Sequence, residues 1–276
     1  MTDLADRISH LSPAQQKLLL ARLKKKRLEE APADRVEPSP LRAAGGPLPV
    51  SFAQERLWFL HRLEPESPLY NVPMAVGLAG DLASPALGQA LKAIAVRHEA
   101  LRCRFPEEGG RPRLVVDSET PARPAVVDLS GLVPGARRRQ ASRGSFAAAR
   151  RPFDLALGPL VRPVLFRLGP QEHRLALVFH HVVFDGWSRG VLVREVSALY
   201  PAFTAGRPAP LPPLPVQYPD FADWQRRRLS GERLERLLGH WRERLSGAPP
   251  ALTLPTDRQP SRRPSHRGGR VPVDLP

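Results

Sequence analysis

Leu175–Ala176–Leu177–Val178–Phe179–His180–His181–Val182–Val183–Phe184–Asp185–Gly186–Trp187–Ser188 decides how this chain is read. A buried-looking apolar strand runs directly into two histidines, then a turn, then a helix. Strand ends are rigid and open to solvent, so they are places where catalytic groups gather. Side chains alternate along a strand, so only one of the two histidines can face a given cavity. A neutral imidazole there can take a proton from an attacking amine or hydroxyl, since its ordinary pKa is about 6.5. Asp185 falls four residues after His181, where a carboxylate either satisfies helix N–H groups or takes a salt bridge that fixes the loop. Gly186 is expected to permit a tight reversal. No Gly-x-Ser-x-Gly signature is present, so acyl transfer between two bound substrates fits better than a triad mechanism. Adjacent histidines without a third clustered ligand make a poor metal site. A lone His-His pair is more often structural than catalytic, and this one has to be weighed with the rest of the chain.

Outward from that stretch the pattern is α/β. Val161–Leu168 and Arg174–Phe179, separated by Gly169–Pro170, read as a hairpin. Tyr70–Leu78, Arg113–Val116 and Ala125–Leu129 read as further strands. Ser51–Arg62, Ser84–His98 with Ser84 as its cap, Ser188–Tyr200 and Phe221–Leu245 read as helices. Residues 31–47, rich in Pro and Gly, read as a linker without an element. Residues 1–30 read as helical: Ser12 can cap, Pro13 suits the first turn and Gln15 can close a capping box. That segment is equally consistent with a solvated helix packing on its own domain and with a contact to an upstream carrier protein or subunit.

The net charge of +15 invites a nucleic-acid reading, but its distribution opposes one. Basic residues are spread along the chain, with short runs only at Lys24–Arg27, Arg137–Arg139 and Arg226–Arg228. No zinc finger or glycine-rich aromatic strand accompanies them. All but five of the 42 basic residues are arginine, beside 33 prolines, a bias of composition rather than a ligand site. Cys103 is the sole cysteine, which excludes an internal disulfide and a cysteine-built zinc site. No apolar run reaches the roughly 18–20 residues of a membrane span, and no leader is visible at the start, so a cytoplasmic protein is expected.

Five segments in order then resemble one family. Ser51–Phe52–Ala53–Gln54–Glu55–Arg56–Leu57–Trp58–Phe59–Leu60 resembles the first motif of the condensation domains of nonribosomal peptide synthetases. Arg97–His98–Glu99–Ala100–Leu101–Arg102–Cys103–Arg104–Phe105 resembles the second, with Cys103 where threonine is usual. Pro152–Leu155 with Gly158–Leu160 is similar to the segment before the active strand. His180–Gly186 resembles the His-His-x-x-x-Asp-Gly signature, and Tyr218–Gln225 the fourth motif. The resemblance covers residues 47–276 and implies a chloramphenicol-acetyltransferase-like lobe: a mixed sheet with helices against it.

It further implies amide-bond formation between two thioesters, each on the phosphopantetheine arm of a carrier protein. By resemblance the catalytic set is His181, His180, Asp185 and Gly186. His181 is the base or amine-orienting group, Asp185 holds the motif's shape, and the Gly186 N–H lies near the reaction centre. Arg56, Trp58, His98, Glu99 and Arg102 read as lobe packing. His180 argues against the cyclisation variant, and the first two motifs look most like the type taking an L-configured donor. No cofactor or metal of its own is implied; carrier and adenylation domains are the expected partners, with neither nucleic acid nor membrane.

The expected division is an N-terminal extension over 1–46, an N-terminal lobe over 47–225, and a connecting helix with the start of a second lobe over 226–276. On that division the chain alone is expected to be inactive. The rival readings are a non-catalytic or carrier-docking module, and a coenzyme A-dependent acyltransferase of the same fold.

Overall fold

The computed structural model describes residues 35–118 and 123–249, together with Pro255 and Val271. The helix expected over residues 1–30, and all but Val271 of the apolar piece expected at 271–275, lie outside the described residues. In chain order the elements begin with α1 (Pro40–Ala43), α2 (Phe52–Leu63), β1 (Asn71–Ala79) and α3 (Ser84–Arg97). A 3-10 turn over Glu99–Arg102 leads to four short strands, β2 (Cys103–Arg104), β3 (Glu107–Glu108), β4 (Arg111–Pro112) and β5 (Val115–Val116). The chain continues as β6 (Ala125–Asp128), α4 (Pro134–Arg150), β7 (Val161–Arg167), β8 (Glu172–His180), α5 (Gly186–Thr204), α6 (Tyr218–Arg228) and α7 (Gly231–Arg244).

One mixed sheet carries the fold, in the order β1-β8-β7-β6. The β7–β8 hairpin is antiparallel and in register from Val161 opposite Phe179 to Arg167 opposite His173. β1 joins β8 antiparallel, whereas β6 joins β7 parallel through the α4 crossover. β8 is buried along almost its whole length because both faces of the sheet are covered. Leu175, Leu177 and Phe179 belong to the core shared with α3 and α5, where Leu91, Ile94, Leu192 and Leu199 meet them. Ala176 instead joins Phe166 and Ala141 beneath α4. A strand covered on both sides reads as an unbroken apolar run, as this one does.

Several expectations need correction. α4 has no counterpart among the expected elements: its Pro-Gly start and arginine-rich body bury only Ala141, so it shows almost no apolar stripe. It lies close on the sheet at Gly144, where a Cβ would come within 2.7 Å of the Phe166 ring. The Pro/Gly linker contains α1, a single turn capped by Ser39. Ser39 is anchored in turn, its N–H donating to Asp220 Oδ1 at 3.0 Å and its hydroxyl to Asp223 Oδ2 at 2.7 Å. Ser84 is not a cap but the first residue of α3, which Ala83 precedes without a side-chain bond. Phe221–Leu245 is two helices, divided where Gly231 takes a φ of 52°. The helix after the histidines continues past Tyr200 and accommodates Pro201 in its last turn.

Among the described residues, no helix is long and apolar enough to cross a membrane.

Candidate active site

β8 ends at His180, and the backbone there is held from both sides. The His180 N–H donates to the Leu160 carbonyl at 3.0 Å, and the His181 N–H donates to the Tyr70 carbonyl at 2.8 Å. Consecutive amides thus bond in opposite directions, and the two imidazoles part accordingly.

His180 goes inward and is 3% exposed. Its Nδ1 accepts from the Val182 N–H at 3.1 Å, which leaves the ring proton on Nε2. His61, Phe153 and Tyr70 surround the ring at centroid distances of 6.0, 6.2 and 6.4 Å. Burial, with smaller contributions from His61 and His181, lowers its pKa to about 3, so it is neutral at physiological pH.

His181 goes the other way, and among the described residues no side chain hydrogen-bonds to its ring. It stands at the edge of a cavity of about 240 Å³ walled by Val182, Val183, Phe184, Ile94 and Leu192. The turn beyond it is braced from three directions. Phe184 stacks on Phe179 at 3.9 Å, Gln54 Nε2 donates to the Val182 carbonyl at 3.4 Å, and the Val183 N–H closes on the His180 carbonyl at 3.1 Å. Gln54 is buried within the Ser51 capping box of α2. Its bracing role was not visible in the sequence, because nothing local marks a glutamine as reaching 128 positions along the chain.

Asp185 is the N-cap of α5. Its Oδ1 accepts from the Ser188 N–H at 2.8 Å and the Ser188 hydroxyl at 2.6 Å. Of the two roles expected for it, satisfying helix N–H groups or taking a salt bridge, the first is present. The hydrogen bond from the Ser188 hydroxyl does most to hold the carboxyl below its usual range, and nearby His181 adds to it. Gly186 needs no left-handed backbone, and a Cβ on it would meet nothing within 4 Å, so the expected tight reversal does not explain it. Trp187, next in line, is 87% exposed at the rim of the cavity.

The residues that the sequence suggests are packing divide in the structure. Trp58 fits that reading, since its indole N–H donates to the buried Phe105 carbonyl at 3.1 Å. Arg102 fits too, bonding the Ala95 carbonyl at 3.2 Å. Cys103 is inert, its thiol pushed up to about 12 by burial. His98 is different: it lines the same cavity as His181, and its Nε2 lies 2.7 Å from Glu195 Oε2. Glu195 is buried on α5, and its other oxygen accepts from Arg97 Nε at 2.9 Å. Glu195 carried no sequence signal beyond being the one acid of its helix.

Comparison with known proteins identifies the family. Residues 45–276 match the condensation-domain family. The chain is 46% identical over 279 residues to phosphinothricin tripeptide synthetase PhsC of Streptomyces viridochromogenes, matched along 100% of this chain and 25% of the synthetase. It is 44% identical over 221 residues to the chondramide synthase of Chondromyces crocatus, across 80% of this chain and 6% of that one. Among solved structures, the X-domain from teicoplanin biosynthesis superposes with a TM-score of 0.67 at 30% identity, covering 83% of this chain and 48% of that one. The first condensation domain of the calcium-dependent antibiotic synthetase, in complex with a substrate analogue, gives 0.65 at 25% identity over 74% and 48%. The chain therefore spans about half the length of these solved relatives and a quarter or less of the synthetases.

Proposed function

The chain belongs to the condensation-domain family, and on that premise we propose that it takes part in amide-bond formation between two carrier-bound thioesters. The acceptor amine attacks the donor carbonyl, the new C–N bond forms, the C–S bond breaks, and the thiol leaves on its own arm. His181 takes the proton from the attacking nitrogen and returns one to the departing sulfur. Its ring, without a hydrogen-bonded side chain among the described residues and beside a largely apolar cavity, is the observation that carries this reading. His180 keeps a neutral, buried role behind it. Asp185 shapes the turn. The Gly186 N–H belongs to the first turn of α5, where amides lack intrahelical acceptors, and is placed to steady the carbonyl oxygen as it gains charge.

On this reading the substrates arrive on phosphopantetheine arms of carrier domains in a cytoplasmic synthetase, with adenylation domains as neighbours. Residues 47–225 form one wall of the reaction chamber, and a second lobe following residue 226 forms the other. The test loads donor and acceptor carrier proteins, adds the protein encoded by the full gene, and follows dipeptidyl thioester by mass spectrometry. His181→Ala should lower the rate by about 10²–10⁴. A rate within twofold of wild type overturns the assignment. Carrier binding with no condensation by the wild type would establish the docking reading instead. The same product from a coenzyme A thioester would establish the third.

A further inference from the structure

Five polar side chains border the cavity beside His181: His98, His181, Asp185, Ser188 and Tyr218. Asp185 and Ser188 are occupied with each other at 2.6 Å, and the Tyr218 hydroxyl shares a hydrogen bond with Ser51 Oγ at 3.0 Å. That leaves the two imidazoles. A carboxylate only accepts, so His98 Nε2 donates to Glu195, and in the neutral ring Nδ1 is then a bare lone pair. Nδ1 has no partner among the described residues. Arg97 donates to the other Glu195 oxygen and to the Pro212 carbonyl, so the carboxylate is held in place from behind. The neighbouring Glu99 is taken up by Arg42 at 2.8 Å and does not compete for the ring.

We infer that His98, backed by Glu195, is a second proton acceptor of the chamber, acting on the acceptor's nitrogen before His181 does. This rests on the condensation reading above. An α-amine with an ordinary pKa of roughly 8 arrives largely as ammonium at neutral pH and cannot attack. Forming the amide therefore removes two protons from that nitrogen. The first passes to His98 Nδ1, giving an imidazolium paired with Glu195, and leaves from there to solvent. The second passes to His181 during attack and then to the thiolate. The sum is amide, thiol and one released proton, with no other reactant. An imidazole held by a carboxylate on one nitrogen and open on the other suits the first step.

The experiment uses the full-length protein with two acceptors on the same carrier, the ordinary aminoacyl group and an aminooxy analogue whose nitrogen is already neutral at the assay pH. His98→Gln and Glu195→Gln should each lower kcat about 10²-fold with the amine and less than threefold with the analogue. His181→Ala should be slow with both. Melting temperatures of the variants show whether each has folded, and Glu195→Gln, which keeps the side chain's shape, serves if His98→Gln does not. Equal losses with both acceptors, or no loss with the amine, overturn the inference and leave the condensation reading standing. Absence of product from wild type with either acceptor overturns both.

Discussion

Asp185 and Ser188 cap α5 reciprocally: one carboxylate oxygen of Asp185 receives the amide and the hydroxyl of Ser188 at 2.8 and 2.6 Å, and the Asp185 N–H donates back to the Ser188 Oγ at 3.4 Å. Their bond is local and lies near the surface, so it makes the site's turn a property of the helix that follows it. Asp185→Ala should lower stability by about 1 kcal/mol, the usual value of an N-cap, and Asp185→Asn by clearly less. Thermal melts of the two variants check this. A loss above about 3 kcal/mol for Ala would reveal a second partner for the carboxylate.

His180 imposes a dependence on pH. Its folded pKa of about 3 lies below the ordinary 6.5, so between those values the unfolded chain binds a proton that the folded chain refuses. Its contribution to stability is complete above pH 6.5 and is lost as pH falls toward 3, at up to about 1.4 kcal/mol per pH unit. His180→Asn keeps an acceptor near the Val182 N–H and does not titrate. Denaturant midpoints at pH 7, 6 and 5 should fall more steeply for wild type than for the variant. Parallel profiles would show that this ring is not what acid attacks.

Gly186→Ala separates fold from chemistry. A Cβ there meets nothing within 4 Å among the described residues, and alanine is a better helix residue, so stability should hold or rise by up to about 1 kcal/mol. Condensation should nonetheless fall, because the open space beside the first turn of α5 is where the acyl group would lie. Unchanged turnover would move that group away from position 186.

Asp220 ties the segment before α2 to α6. It accepts from the Ser39 N–H and Arg42 Nε, each at 3.0 Å, and from the Gln217 N–H at 2.7 Å. Burial alone would raise its pKa, but these donors outweigh it and the net shift is downward. Asp220→Ala should cost about 2 kcal/mol, less than a fully buried pair because Arg42 is partly exposed. It should also speed proteolysis near residue 40, and limited digestion is the check. Unaltered digestion would mean that α1 is held by Asp223 alone.

How legible the fold was in the sequence depends on what held each part. The β7–β8 hairpin and the His180–Gly186 turn were readable, because burial on both faces writes an unbroken apolar run and a Gly-Pro turn separates its halves. The opposite facing of the two histidines followed from strand alternation. α4 was not readable: its one fully buried residue is an alanine, a glycine presses on Phe166, and the rest of its hold is small partly buried alanines and hydrogen bonds to the sheet, none of which makes a periodic apolar signal. α1 was hidden because its anchors, Asp220 and Asp223, lie some 180 positions away. His98 reads as packing in the sequence because its meaning depends on Glu195, 97 residues later and on another helix.

The opposed amides of His180 and His181 have one more consequence. Each histidine is tied to a different neighbouring strand, so the Cα of His181 cannot drift without breaking a ladder on one side or the other. The ring then has only its two side-chain torsions to settle when a ligand arrives. Position 181 is in effect a socket: the backbone fixes where the working group sits, and the side chain fixes only what it is. Replacing His181 with glutamine, asparagine or lysine therefore compares different bases at a single location, with the mount held constant.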